Sequence, residues 1–380
     1  MTTITLYYAT NRAHAGADRW HPKGYGTKFS DDGQENLRFG MVSVEAGEKE
    51  IRKRLNARVS VALGNGDGEA LAKYLTKCAR TATIEAYPEK LRRDVADVNQ
   101  PHKKLGSRAM FGDLRADMAA GCGALVYIHG FNVSWHEAVG SAAALQTLLN
   151  HLRPPNSPET RTLLFTWPSD GTALPFVSYK SDRADARGSG AAVGRGFLKL
   201  RDYLFDLADR ARGGGQLCGQ KIHLLSHSMG NYVLQHALAR LDEYTPADAM
   251  PRLFDQVMLC APDIDDNEME SASACARVHE VARQVTIYHN REDTALFVSD
   301  HTKGHRERLG TGGASRPQLL HHKVQQVDCT PIVPGMAEHS YYLGGKVCAD
   351  IAQNLAGLPA DHPDRNRDRH ATLGNVWIMR

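Results

Sequence analysis

The 380-residue chain is 42% apolar and carries 46 basic against 43 acidic side chains, a net charge of +3. That composition excludes a disordered chain, and the near balance of charge gives no footing for nucleic acid or an anionic membrane as partner. No run approaches the roughly 18 apolar residues of a membrane span. The seven cysteines are scattered, with no C-x-x-C pair. They read as reduced thiols in a cytoplasmic protein, not as a disulfide framework or a zinc site. The opening MTTITLYYATNR lacks the basic, apolar and small-residue succession of a secretory signal.

Ile4 to Ala9 reads as a first strand, ended by Thr10, Asn11 and Arg12. Polar, glycine-rich sequence follows to about Gln34, then a second strand over Leu37 to Val44. Glu69 to Ala79 has helical composition, and Ala82 to Ala86 suits a strand. Charge dominates from Pro88 to Pro101, as a linker or an exposed helix. Ala124 to Ile128 is an apolar run of buried-strand type, and Ser134 caps a helix running through Leu149. Thr162 to Thr166 is a strand. A loop over 169–188 follows, which could line the mouth of a pocket or serve only as a solvated connection. Phe197, Leu200, Leu204, Leu207 and Ala211 mark an amphipathic helix. Strands are expected after it around Ile222 to Leu225, Val257 to Cys260, Val285 to His289 and Val324 to Val327. Helices are expected from Tyr232 to Leu241 and from Lys346 to Leu355. From Pro359 a polar tail is expected, although Val376, Trp377 and Ile378 could dock on the body. Strands alternating with helices from about 124 to 355 argue a parallel α/β sheet with helices on both faces.

The chemistry centres on KIHLLSHSMGNYVLQHALARL, Lys221 to Leu241. Strand, tight turn and helix follow with no loop between them, which is the context of a nucleophile elbow. Ser228 would sit on the turn, with Gly230 and Ser226 supplying the small flanking residues. Ser226 stands where the G-x-S-x-G pattern has glycine. The plainer reading makes Ser228 a helix N-cap. A serine hydroxyl needs a base, and the base needs an orienting carboxylate. In doubly wound hydrolases these follow in the order serine, acid, histidine. Ser228, Asp293 and His339 supply that order, each after a strand. Asp263 or Asp265, on the preceding loop, competes for the acid. His301, His305, His321 and His322 compete for the base. The oxyanion would be held by the backbone N–H of Met229 and that of Phe131, with Asn132 a second candidate. His301 and His305 lack the glutamate of H-E-x-x-H, so no metal is expected there.

The runs YIHGFN, TWPS, HSMGNYVL, YHNREDTAL and EHSYY resemble the α/β-hydrolase superfamily, and within it a bacterial esterase/lipase-like branch of unknown function. The early YATNR resembles that branch's N-terminal signature. The resemblance implies an α/β-hydrolase fold with a mostly parallel sheet and a Ser228–Asp293–His339 triad. It also implies no cofactor and the hydrolysis of small-molecule esters or related acyl bonds. Acyl transfer, amide or peptide cleavage and a non-catalytic binding module are the alternatives. The expected organisation is an N-terminal extension over 1–115 that packs on or extends the sheet, a catalytic core over 116–358 and a polar tail over 359–380.

Overall fold

The computed structural model describes residues 1–88, 105–169, 175–212, 219–245, 250–270, 273–296, 307–333 and 339–380. Fifteen strands are present among them. They are β1 Thr2–Thr10, β2 Arg12–Ala15, β3 Gly24–Phe29, β4 Arg38–Ala46, β5 Arg58–Ser60, β6 Gly64–Asn65, β7 Thr83–Tyr87, β8 Cys122–Ile128 and β9 Glu159–Thr166. The rest are β10 Ile222–His227, β11 Phe254–Cys260, β12 Ala282–His289, β13 Val324–Asp328, β14 Arg367–Arg369 and β15 Val376–Met379. The principal helices are α1 Glu48–Leu55, α2 Gly68–Ala79, α3 Gly106–Ala119, α4 Trp135–Leu152, α5 Pro175–Arg212, α6 Gly230–Glu243 and α7 Gly345–Ala356. None of the described helices is long and apolar enough to cross a membrane.

Eleven strands form one sheet in the order β14-β15-β13-β12-β11-β10-β8-β9-β1-β4-β7. Every pairing from β15 to β1 is parallel, and antiparallel strands close both edges. The apolar runs expected around 124, 162, 222, 257, 285 and 324 are the central strands. Their side chains alternate between faces, as a strand's period of two requires. Leu125, Tyr127 and Leu225 face a core with α1, α2, α4 and α7. Val126, Ile128 and Leu224 face a second core with α3, α5 and α6. The result is a mostly parallel sheet covered by helices on both sides, as in the α/β-hydrolase fold. Ser134 caps α4 in a reciprocal box with Glu137, as its place before the helical run predicts.

Three segments depart from the sequence reading. The stretch 169–188, expected as a loop, is helical from Pro175 onward, so α5 begins 22 residues before Phe197. Its glycines argue against helix on propensity, but they admit α6 at close range. A Cβ at Gly190 would lie 2.3 Å from Cβ of His236. Tertiary packing overrides propensity there. Residues 367–379, expected within a polar tail, supply β14 and β15 and complete one edge of the sheet. Arg365 holds this segment by a bidentate pair to Asp350 of α7, both contacts at 2.8 Å, and Arg367 reaches the same carboxylate at 3.4 Å. Helix α3 had no clear signature in the sequence. Most of 88–101, and the His301–His305 pair, lie outside the described residues.

Candidate active site

The turn between β10 and α6 is built by close approach. Ser228 has φ +54°, a left-handed conformation that costs an L-residue about 1–2 kcal/mol. Its N–H donates to the Cys260 carbonyl at 2.9 Å, and its carbonyl accepts from the N–H of Asn231 at 3.0 Å and of Asp263 at 3.2 Å. The Asn231 side-chain amide braces the same turn, donating to the carbonyls of Ser226 and Ser228, each at 3.1 Å. A Cβ at Gly230 would lie 2.6 Å from the His129 carbonyl oxygen, and one at Gly130 would lie 2.9 Å from Cβ of Ser228. Both positions therefore need glycine. Ser226 is fully buried at the end of β10, and its small side chain fits.

Asp293 follows β12, and His339 follows β13, so both arrive at the carboxyl ends of parallel strands, the end where Ser228 follows β10. Asp293 Oδ2 lies 2.7 Å from Nδ1 of His339. The carboxylate is buried, and its Oδ1 accepts from the N–H of Ala295 at 3.1 Å. The His339 ring packs on that of His227, the residue before Ser228, with centroids 4.7 Å apart. His227 is in turn packed on Tyr342 at 4.5 Å, and its Nε2 donates to the His339 carbonyl at 3.2 Å. Burial, with His339 beside it, holds His227 neutral, well below the ordinary histidine range.

Among the described residues, neither rival acid contacts His339. Asp263 accepts from the Tyr179 hydroxyl at 2.8 Å and pairs with Arg308 at 3.5 Å, and Asp265 pairs with Arg308 as well. His321 and His322 precede β13, at the opposite end of that strand from the one His339 follows, and His321 stacks on His279 at 3.9 Å.

The segment after β8 lies against the elbow. The N–H groups of Phe131 and Met229 have no partner among the described residues. The N–H of Asn132 is taken, donating to Asp182 Oδ2 at 2.9 Å. The same oxygen accepts from the Ser169 hydroxyl at 2.5 Å, and Ser169 Oγ accepts from the Val133 N–H at 3.1 Å. Asp182, fully buried on α5, thus ties down the residue after Phe131. Asn132 itself has φ +57°. The Phe131 ring meets Tyr179 edge-on at 5.8 Å.

Under this segment lies Arg12, fully buried at the end of YATNR. Its Nη2 donates to the Val133 carbonyl at 2.6 Å, its Nη1 to the Gly26 carbonyl at 2.9 Å and its Nε to Thr166 Oγ1 at 2.8 Å. His129 is stacked on Trp167, and burial, with Arg12 nearby, lowers it to about 3. Sequence reasoning gave Arg12 and His227 no part in the site, and placed Asp182 only within the 169–188 loop that could line a pocket mouth. For Arg12 a signal existed, since YATNR stood out as a motif. For Asp182 none did, because one aspartate in a charged stretch looks like its neighbours.

A mostly parallel sheet with a serine on a strained strand–turn–helix elbow defines an α/β hydrolase. The family described as alpha/beta hydrolase of unknown function (DUF900) matches residues 114–349, more than half of the chain, and the chain belongs to that family. It is also similar to an uncharacterised protein, alr1448, of Nostoc sp. strain PCC 7120, at 22% identity over 46% of this chain and 53% of that protein. The chain thus spans about half the length of the curated relative it matches. No solved structure matches it significantly.

Proposed function

We propose that this α/β hydrolase cleaves carboxylic esters of small molecules through an acyl-enzyme on Ser228, with His339 as base and Asp293 as the orienting acid. The observation that carries the reading is the 2.7 Å contact between Asp293 and Nδ1 of His339, at the sheet end that also bears Ser228 on its strained turn. A carboxylate on Nδ1 leaves Nε2 as the basic nitrogen and stabilises the imidazolium. Nε2 takes the proton of Ser228 Oγ as that oxygen attacks the ester carbonyl carbon. The carbonyl oxygen becomes an oxyanion and accepts from the N–H groups of Phe131 and Met229. On collapse the alkoxide leaves with the proton from His339. Water, deprotonated by the same nitrogen, then attacks the acyl carbon, and the acid is released as Ser228 regains its proton. No group beyond these side chains and water is called for. The six described cysteines are all free, which suits a cytoplasmic enzyme.

The test compares the wild-type chain with Ser228→Ala on short and medium-chain p-nitrophenyl esters. Labelling with a fluorophosphonate probe runs alongside. Hydrolysis and labelling are expected in the wild type. The variant should lose both, with kcat down by up to about 10⁶-fold. A wild-type chain that neither hydrolyses nor labels overturns the reading and favours a binding module on the hydrolase fold.

A further inference from the structure

We propose that Arg12 is a positioning residue for the oxyanion loop, fixing the tautomer of His129 and through it the Gly130–Phe131 peptide. The inference rests on the hydrolase reading for its kinetic consequence, but its structural core stands apart from turnover. The argument starts from the donors around one nitrogen. Nε2 of His129 lies 3.3 Å from the Trp167 N–H, which can only donate. It lies 3.5 Å from Nη2 of Arg12, which also can only donate. It lies 3.0 Å from Thr166 Oγ1, and that oxygen already accepts from Nε of Arg12 at 2.8 Å. The Thr166 proton is therefore free to turn toward His129. With donors on every side, Nε2 is the acceptor, and the proton of the neutral ring sits on Nδ1. Nδ1 lies 2.8 Å from the Gly130 carbonyl oxygen and donates to it.

In a trans peptide the carbonyl and the next N–H point in opposite directions. The bond that holds the Gly130 carbonyl thus also sets the direction of the Phe131 N–H, one residue on from the place where a Cβ on Gly130 would lie 2.9 Å from Cβ of Ser228. Arg12 adds a second hold through the Val133 carbonyl, two residues beyond Phe131. The guanidinium fork reaches β3, the end of β9 and the segment after β8 at once, which the point charge of a lysine cannot do. The N-terminal segment therefore does more than widen the sheet: Arg12, at the start of β2, sets the direction of the N–H proposed to hold the oxyanion.

The experiment uses the full chain with Arg12→Lys and Arg12→Gln, and Arg161→Lys as a structural comparison. Arg161 lies toward the amino end of β9, bonded to Asp117, away from the elbow. Removing an oxyanion donor costs about 10²–10³ in kcat, so misdirecting one is expected to cost about 10- to 100-fold. KM should stay within about threefold. Inhibition by a trifluoromethyl ketone, whose hemiketal oxygen mimics the oxyanion, should weaken in parallel with kcat. Arg161→Lys should lower the melting temperature without this split. The second readout needs no turnover. In ¹⁵N-histidine-labelled protein, with the signals assigned by their loss in His129→Asn, His129 should show a protonated Nδ1 and a bare Nε2. In Arg12→Gln that preference should relax. A wild-type His129 protonated on Nε2 overturns the inference, as does a folded Arg12→Lys enzyme with unchanged kcat. If the chain fails to hydrolyse any ester, the hydrolase reading falls, while the tautomer measurement still decides the positioning role.

Discussion

Asp293 and His339, 46 residues apart in the chain, meet through a 2.7 Å contact between a buried carboxylate and the Nδ1 of a ring that remains partly open to solvent. Asp263 sits as deeply and lies closer in sequence to Ser228, yet its oxygens are engaged by Tyr179 and Arg308. The two aspartates should therefore respond differently to loss of charge. Asp293→Asn is expected to lower kcat by about 10⁴-fold through the wrong histidine tautomer. Asp263→Asn should cost stability and leave kcat within about tenfold. Steady-state kinetics on one ester decide it, and a larger kcat loss in Asp263→Asn would reassign the acid.

Gly130 has no room for a methyl group on the side facing Ser228. Gly130→Ala should push the loop and the serine apart, since the added carbon would stand 2.9 Å from Cβ of Ser228. Overpacking of this kind costs about 1–3 kcal/mol. The expected outcome is a folded protein with a lowered melting temperature and kcat reduced at least tenfold. Retention of full activity would show that the loop yields freely and that its position is not critical.

Asp182 accepts from the Asn132 N–H and the Ser169 hydroxyl in a buried place. Asp182→Ala would strand both donors, at roughly 1–3 kcal/mol each. Asp182→Asn keeps one acceptor oxygen and should lose less. Urea denaturation should rank the three as wild type, then asparagine, then alanine, and kcat should follow the same order. If alanine matches the wild type in both, the residue does not anchor Asn132.

Acid should weaken the fold through its histidines. Burial lowers His129 to about 3 and His223 and His236 to about 4, and pushes His227 and His289 down as well. Unfolding returns each ring to its ordinary affinity near 6.5. Below that pH the unfolded chain binds more protons than the folded one, so stability falls as pH is lowered toward 4. Above about pH 7 neither state is protonated, and these rings contribute no slope. Urea midpoints at pH 8, 7, 6 and 5 should be level at first and then decline. Equal midpoints at pH 8 and pH 5 would contradict the buried neutral state of these rings.

Much of the centre was legible because it is local. The apolar runs of β8, β10, β11, β12 and β13 need no distant partner to announce a buried parallel strand. The elbow was legible because strand, serine and helix adjoin in sequence. What escaped depends on residues far apart. The glycines of α5 look like loop until the side of α6 is placed against them. Arg365 and Arg367 look like a solvated tail until Asp350, inside the preceding helix, is seen to await them. Asp182 lies 50 residues from the N–H it binds, and Arg12 lies 121 residues from the carbonyl it holds. No periodicity carries such pairings.

The left-handed backbone at Ser228 separates what is good for the fold from what is good for the proposed chemistry. Glycine would adopt φ +54° without the penalty that serine bears. Ser228→Gly should therefore melt no lower than the native chain, as calorimetry on the two can check directly, while losing all turnover. A Ser228→Gly protein that melts well below the wild type would mean that the serine side chain itself helps hold the turn. On the geometry described, the most durable version of this molecule is one that the proposed chemistry cannot use, and the native chain keeps a small permanent tension at the serine proposed as nucleophile.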